Sequence, residues 1–218
     1  MELLFTIAWL KFKECKIQKK KKEQRTIFCS WRDLVKFLDL VKKRQSVRKY
    51  LNKPVEREKV EHCLEAARLA PSANNSQPWS FIVVDDPKLK EAVARKTFDR
   101  VISFNRFSLQ APVLILLLSE RPSFFSRMGS VVKDKQFNLT DIGITAEHLC
   151  LQAVEEGLGT CILGWFNEKE VKKLVNIPQQ IRVELIITMG YPMSDEIQPK
   201  DRKEINQIKS YNSYELQK

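Results

Sequence analysis

Helical and strand-like patterns alternate along this chain, and the alternation predicts an α+β domain in which helices flank a sheet. Three observations carry that prediction. A length of 218 residues suits one domain with a substantial core. Hydrophobic residues make up 43%, with 12 Phe and only 6 Gly, which excludes collagen-like, low-complexity and wholly disordered chains. Short apolar runs of strand type are separated by helical stretches rather than gathered in one block.

The elements run in this order. Residues 1–30 share no periodicity with the remainder of the chain, so they read as an N-terminal extension in which a lysine block stays solvated and disordered. Ser30, with Asp33 three residues on, is a helix cap ahead of WRDLVKFLDLVKKR, where Leu34, Val35, Leu38 and Val41 recur at helical spacing. Pro54 and Glu56 open a second helix with Val60, Cys63, Leu64 and Ala67 on one face, and it must stop before Pro71. WSFIVVDD reads as a strand, Asp86-Pro87 starts a helix, and VLILLLS (113–119) is a buried strand. The longest helical pattern runs from Asn138 to Glu156 and ends at Gly157. TCILGW is a strand entering a turn, Asn167 with Glu170 forms a capping box for EVKKLV, and VELIITMG is the last strand. The folded domain is therefore expected over 31–192, with 193–218 as a C-terminal arm that lies on something else or stays mobile.

The net charge is +11, but residues 1–25 hold 8 basic side chains against Glu2, Glu14 and Glu23 and so account for +5 of it. The remaining +6 suits an anionic small molecule as well as nucleic acid. Cys15, Cys29, Cys63, Cys150 and Cys161 contain no CxxC pair and no accompanying histidine cluster, so neither a disulfide framework nor a metal site is expected. Cys63, Cys150 and Cys161 read as buried thiols of a cytoplasmic protein. The longest uncharged apolar runs, Leu3 to Leu10 and Ala111 to Leu118, fall short of the roughly 20 residues that cross a bilayer, and no membrane partner is expected. The lysine block comes after its apolar run instead of preceding it, which argues against an export signal.

Three polar clusters could carry chemistry, and none pairs a nucleophile with a base. In RQSVRKY, Arg44, Ser46 and Arg48 alternate, so an extended segment would turn all three to one side as a phosphate or carboxylate receptor; a solvated basic strand edge fits equally. APSANNSQPW offers Ser72, Asn74, Asn75, Ser76 and Gln77 between stiff Pro71 and Pro78. Amides that donate and accept suit a heterocycle with alternating C=O and N–H edges, and a plain polar loop is the alternative. GLGTCILGWF matches neither GxGxxG nor a Walker A loop; Gly164 would let backbone approach a planar ligand, or merely allow a turn. His62 and His148 lack partners of catalytic type. A bound cofactor that performs the chemistry removes the need for them.

In this order and spacing RQSVRKY, APSANNSQPW, DIGITAEHLCLQAVEEGLGTCILGW and PKDRK resemble the FMN-dependent nitroreductase family over roughly residues 37–203. The resemblance implies a mixed sheet flanked by helices, an intertwined homodimer, and two FMN sites at the subunit interface. It implies that Arg44, Ser46 and Arg48 contact the phosphate, ribityl and pyrimidine parts of FMN. Asn75 and Gln77, with the backbone of Pro71, Ser72, Ala73 and Asn74, would reach FMN from the other subunit. Leu163 and Gly164 would lie against the isoalloxazine, and Arg202, with Lys200 or Lys203, would return to the phosphate. Many members carry a basic residue before the middle strand that meets the pyrimidine edge; Asn105, Arg106 and Phe107 occupy that neighbourhood. Phe124 and Phe125 are candidate substrate contacts. The implied activity is ping-pong transfer of electrons from NADH or NADPH through FMN to a nitroaromatic, quinone or flavin, with no catalytic side chain. Competing readings are a narrower flavin reaction such as reductive dehalogenation or flavin breakdown, and a flavin-binding or storage protein. A nucleic-acid binder acting through residues 1–25 is a third, and no nucleic acid is expected as the partner.

Overall fold

The computed structural model describes residues 37–120 and 137–214. The extension, the Ser30 cap, Phe124 and Phe125 lie outside the described residues. The chain divides at Lys42 into two units. Helix α1 (Phe37–Lys43) has its first six residues in the first unit and carries an Asp39–Lys42 ion pair at 3.7 Å.

The second unit, from Lys43 onward, holds the sheet. Glu56 is extended and the chain turns into α2 (Arg57–Arg68), which buries Val60, Cys63 and Ala67, the face set by helical spacing. After a 3₁₀ turn at Ala73–Asn75 comes β1 (Trp79–Val84). Asp86 then caps α3 (Pro87–Ala94) by accepting from the Leu89 N–H at 2.8 Å, with Pro87 at the position where its missing N–H costs nothing. A second 3₁₀ helix (Arg106–Gln110) leads into β2 (Val113–Ser119). The 19-residue α4 (Phe137–Glu155) ends at Gly157, whose φ of +74° suits glycine. Strand β3 (Gly159–Leu163), helix α5 (Glu168–Leu174), strand β4 (Arg182–Gly190) and the short α6 (Ile205–Ile208) complete the order. Asn167 caps α5 by accepting from the Glu170 N–H, while the Glu170 carboxylate turns to Lys173 instead of closing a reciprocal box.

The sheet order is β1-β2-β4-β3, antiparallel at every junction, and its parallel component is a bridge between Ser46 and Thr160 on the β3 edge. Strand β2 is buried along its whole length because both faces are covered. Val113, Ile115 and Leu117 join Ile187 and Met189 under α2 and α4. Leu114, Leu116 and Leu118 join Ile186, Cys161 and Leu163 under α3 and α5. Each buried Leu or Ile contributes roughly 1.5–3 kcal/mol, so this three-layer packing supports the β3 edge on which the Arg44–Arg48 segment is seated. Among the described residues no helix is long and apolar enough to cross a membrane.

Candidate functional site

Residues 44–50 run beside β3, held by the Val47 N–H donating to the Thr160 carbonyl at 2.9 Å. The approach is close because residue 159 is glycine: a Cβ there would sit 2.5 Å from Val47 Cγ2. Tyr50 anchors the far end. Its buried hydroxyl donates to the Val47 carbonyl at 2.8 Å and shares a hydrogen bond with Thr188 Oγ1 at 2.7 Å, and burial raises its phenol above the ordinary range.

Arg44, Ser46 and Arg48 all lie within electrostatic or hydrogen-bonding reach of the Cys161 thiol. Burial pushes that thiol up, while Arg48, Ser46 and Arg44 pull against the shift. Arg44 Nε lies 3.6 Å from a Glu147 carboxylate oxygen on α4. Arg48 donates to the Ser46 carbonyl at 3.3 Å, and its guanidinium stands 5.9 Å from the Phe107 ring centre. Lys200 in the arm joins this cluster: partial burial, then repulsion from Arg44 and Arg202, holds its ammonium below the usual value, with Glu147 opposing. Arg202 is exposed, its guanidinium donating to the Asp201 carbonyl, and Lys203 is exposed beside it.

Leu163 is buried at the end of β3 and Gly164 comes next, exposed. Among the described residues, no atom beyond those of its chain neighbours lies within 4 Å of the place a Gly164 Cβ would take. The glycine therefore leaves a bare stretch of backbone that chain packing does not demand, which a flat ligand could cover.

The Pro71–Gln77 loop is the strained part. Asn74, Asn75 and Gln77 have φ of 54°, 52° and 44°, left-handed values that cost a non-glycine residue roughly 1–2 kcal/mol each. The loop is held by the Ala73 N–H donating to the buried Asp141 carboxylate at 3.2 and 3.3 Å, and by the Gln77 N–H donating to Ser72 Oγ at 2.9 Å. Gln77 Nε2 also donates to Asn75 Oδ1 at 3.1 Å. Asn74, Asn75, Gln77 and Pro71 are exposed, with Ser72 and Ala73 half-buried. Among the described residues, no hydrogen bond or ion pair joins this loop to Arg44, Ser46 or Arg48.

Sequence reasoning passed over Asp141. Its signal was an acid within the apolar stripe of α4, where Ile142, Thr145 and Leu149 are also buried. Asn105 is turned inward at 4% exposure, donating to the Trp165 carbonyl at 3.0 Å, so the chain has no basic side chain at that point; neighbouring Arg106 is exposed.

The fold has counterparts among known proteins. The chain is 32% identical over 197 residues to an iodotyrosine deiodinase of Thermotoga neapolitana, covering 81% of this chain and 97% of that protein. It is 24% identical over 192 residues to an NADH dehydrogenase of Thermus thermophilus, covering 76% and 91%. The solved structure of an FMN-dependent nitroreductase from Clostridium difficile superposes with a TM-score of 0.66 at 28% identity, covering 80% of this chain and 98% of that one. Residues 41–191 match the Nitroreductase family as a whole, and with both faces of the sheet and the cationic β3 edge lying inside or beside that span, the chain belongs to the Nitroreductase family.

Proposed function

We propose that the protein is an FMN-dependent oxidoreductase that takes electrons from NADH or NADPH and passes them to an electron-poor acceptor in a ping-pong cycle. The observation that carries the reading is the seating of the Arg44–Arg48 segment on the β3 edge, close to the exposed Gly164 backbone, where two guanidinium groups and a hydroxyl offer donors to an anion such as the FMN phosphate. The donor set fits the whole cofactor. Ser46 and Arg48 continue from the phosphate end along the same segment, and the bare backbone at Gly164 suits the flat ring system. When bound, FMN supplies hydride acceptance and donation, so the chain needs to bind, orient and shield.

The exposed amides of Asn75 and Gln77 supply donors and acceptors for a pyrimidine edge, and their left-handed backbone holds them ready before a ligand arrives. Because, among the described residues, no hydrogen bond or ion pair joins that loop to Arg44, Ser46 or Arg48 of its own chain, the reading places two copies together in a homodimer, with the loop serving its partner's pocket. Visible absorption of the purified protein, together with NAD(P)H oxidation using a quinone acceptor, tests the proposal; a colourless protein that takes up no added FMN would refute it.

The similarity to an iodotyrosine deiodinase favours a second reading on the same site. In reductive dehalogenation two electrons and a proton convert an aryl carbon–halogen bond to C–H and release halide. Halide release from an iodophenol under a chemical reductant, in place of quinone turnover, would decide for it.

A further inference from the structure

We propose that Asn105 is a positioning residue that sets the Gly164–Trp165 backbone and, through the short helix it begins, places Phe107 beneath Arg48. The inference rests on the proposed flavin function and extends it to a residue that touches no ligand. Asn105 is 4% exposed, and its side-chain amide is directed at one acceptor, the Trp165 carbonyl. The Trp165 side chain is 55% exposed, so packing of the indole does not hold this turn. Nor does anything pack where a Gly164 Cβ would lie. Beside the packing of Phe166 on the core, two hydrogen bonds from residues 94–108 clamp it: Asn105 on the Trp165 carbonyl, and the Lys96 carbonyl accepting from the Asn167 N–H at 2.8 Å.

The clamp itself is built into the core. Thr97 and Ser108 are fully buried, their hydroxyls 2.9 Å apart, and Thr97 Oγ1 donates to the Ala94 carbonyl at 2.8 Å. The Asn105 carbonyl accepts from the Ser108 N–H at 2.9 Å, which starts the 3₁₀ helix carrying Phe107 to the Arg48 guanidinium. One asparagine therefore connects the bare backbone at Gly164 with the cationic segment. An amide suits the place because a donor is needed on a short, uncharged arm inside the protein.

The test uses Asn105→Ala and Asn105→Asp, the second keeping the shape while losing the N–H, with Val84→Ala as a control that opens a cavity in the same core layer but removes no side-chain hydrogen bond. Amide hydrogen exchange at residues 164–167 is measured in FMN-free protein, and FMN affinity and the flavin midpoint potential in loaded protein. Loss of one hydrogen bond predicts exchange and FMN dissociation constant each raised about three- to tenfold in the Asn105 variants. The flavin potential and spectrum should move in these variants and stay put in Val84→Ala. Exchange and potential that match wild type in either Asn105 variant overturn the proposal. If neither variant folds, the wild-type chain decides: slow exchange of one Asn105 side-chain amide proton supports the clamp, and fast exchange of both overturns it. A wild-type protein that binds no FMN would sink the flavin reading, while the exchange measurement would still decide on Asn105.

Discussion

Replacing Gly159 by alanine should damage the cationic segment without touching any charged residue. The new Cβ would stand 2.5 Å from Val47 Cγ2, 2.8 Å from its Cβ and 3.0 Å from its Cγ1. Carbon contacts settle near 3.5–4.0 Å, so residue 47 must retreat by roughly 1 Å. Retreat stretches the Val47 N–H to Thr160 bond of 2.9 Å, which contributes about 0.5–1.5 kcal/mol, and overpacking adds about 1–3 kcal/mol. A melting temperature lowered by several degrees is expected. FMN affinity should fall at least tenfold, because Arg44, Ser46 and Arg48 travel with Val47. Val47→Ala in the same chain leaves the Cβ clash and should restore part of both, whereas Val47→Gly clears all three contacts and should restore more of the affinity than of the stability. Calorimetry and fluorescence titration of FMN read the two effects. A Gly159→Ala protein with wild-type melting and wild-type FMN affinity would refute the seating of this segment on β3.

Three further outcomes are expected. Lys200 is held below its ordinary value, so its charged form costs folding stability at neutral pH and that cost disappears as pH rises from the lowered value toward 10.5; FMN, which favours the charged form, should loosen over the same range, and Lys200→Met should abolish that alkaline step in titrations at stepped pH. Asp141→Ala removes a charge-assisted bond worth about 1.5–3 kcal/mol from the Ala73 N–H, and limited proteolysis should then cut within residues 72–77 faster, with an unchanged cutting rate counting against the strain argument. Coexpressed Arg48→Ala and Gln77→Ala chains should form a heterodimer with one doubly damaged and one intact pocket, recovering about half the wild-type activity, whereas tagged heterodimers as inactive as both parents would place the two clusters in one chain's pocket.

Much of the fold could be read from the chain because its signals are local. The limits of β2 match the run VLILLLS, since burial on both faces leaves no polar alternation to confuse the pattern. Asp86-Pro87 and Asn167 mark helix starts through bonds within three residues. The 3₁₀ helix at Arg106–Gln110 was not legible, because the buried Thr97–Ser108 hydroxyl pair that secures it leaves no periodic pattern in the sequence. At the site, the alternation of Arg44, Ser46 and Arg48 was visible as a period of two. The roles of Asp141 and Asn105 were not, as each depends on a backbone group 68 and 60 residues away. The left-handed values at Asn74, Asn75 and Gln77 were concealed too, since asparagine signals a turn without fixing its hand.

The bridge between Ser46 and Thr160 has a bearing on how the protein is made. It joins points separated by about half the chain, and the cationic cluster closes only when Lys200 and Arg202 arrive. Contacts of such long range form late, after nearer pairings have offset the entropy of closing the loop. During synthesis a nascent chain can assemble α2, β1 and β2 with no complete place for a phosphate, so flavin cannot guide the early steps. It acts afterwards, by mass action on the finished fold. On the proposed phosphate site, bound flavin in a preparation therefore counts chains that were translated and folded through to the arm.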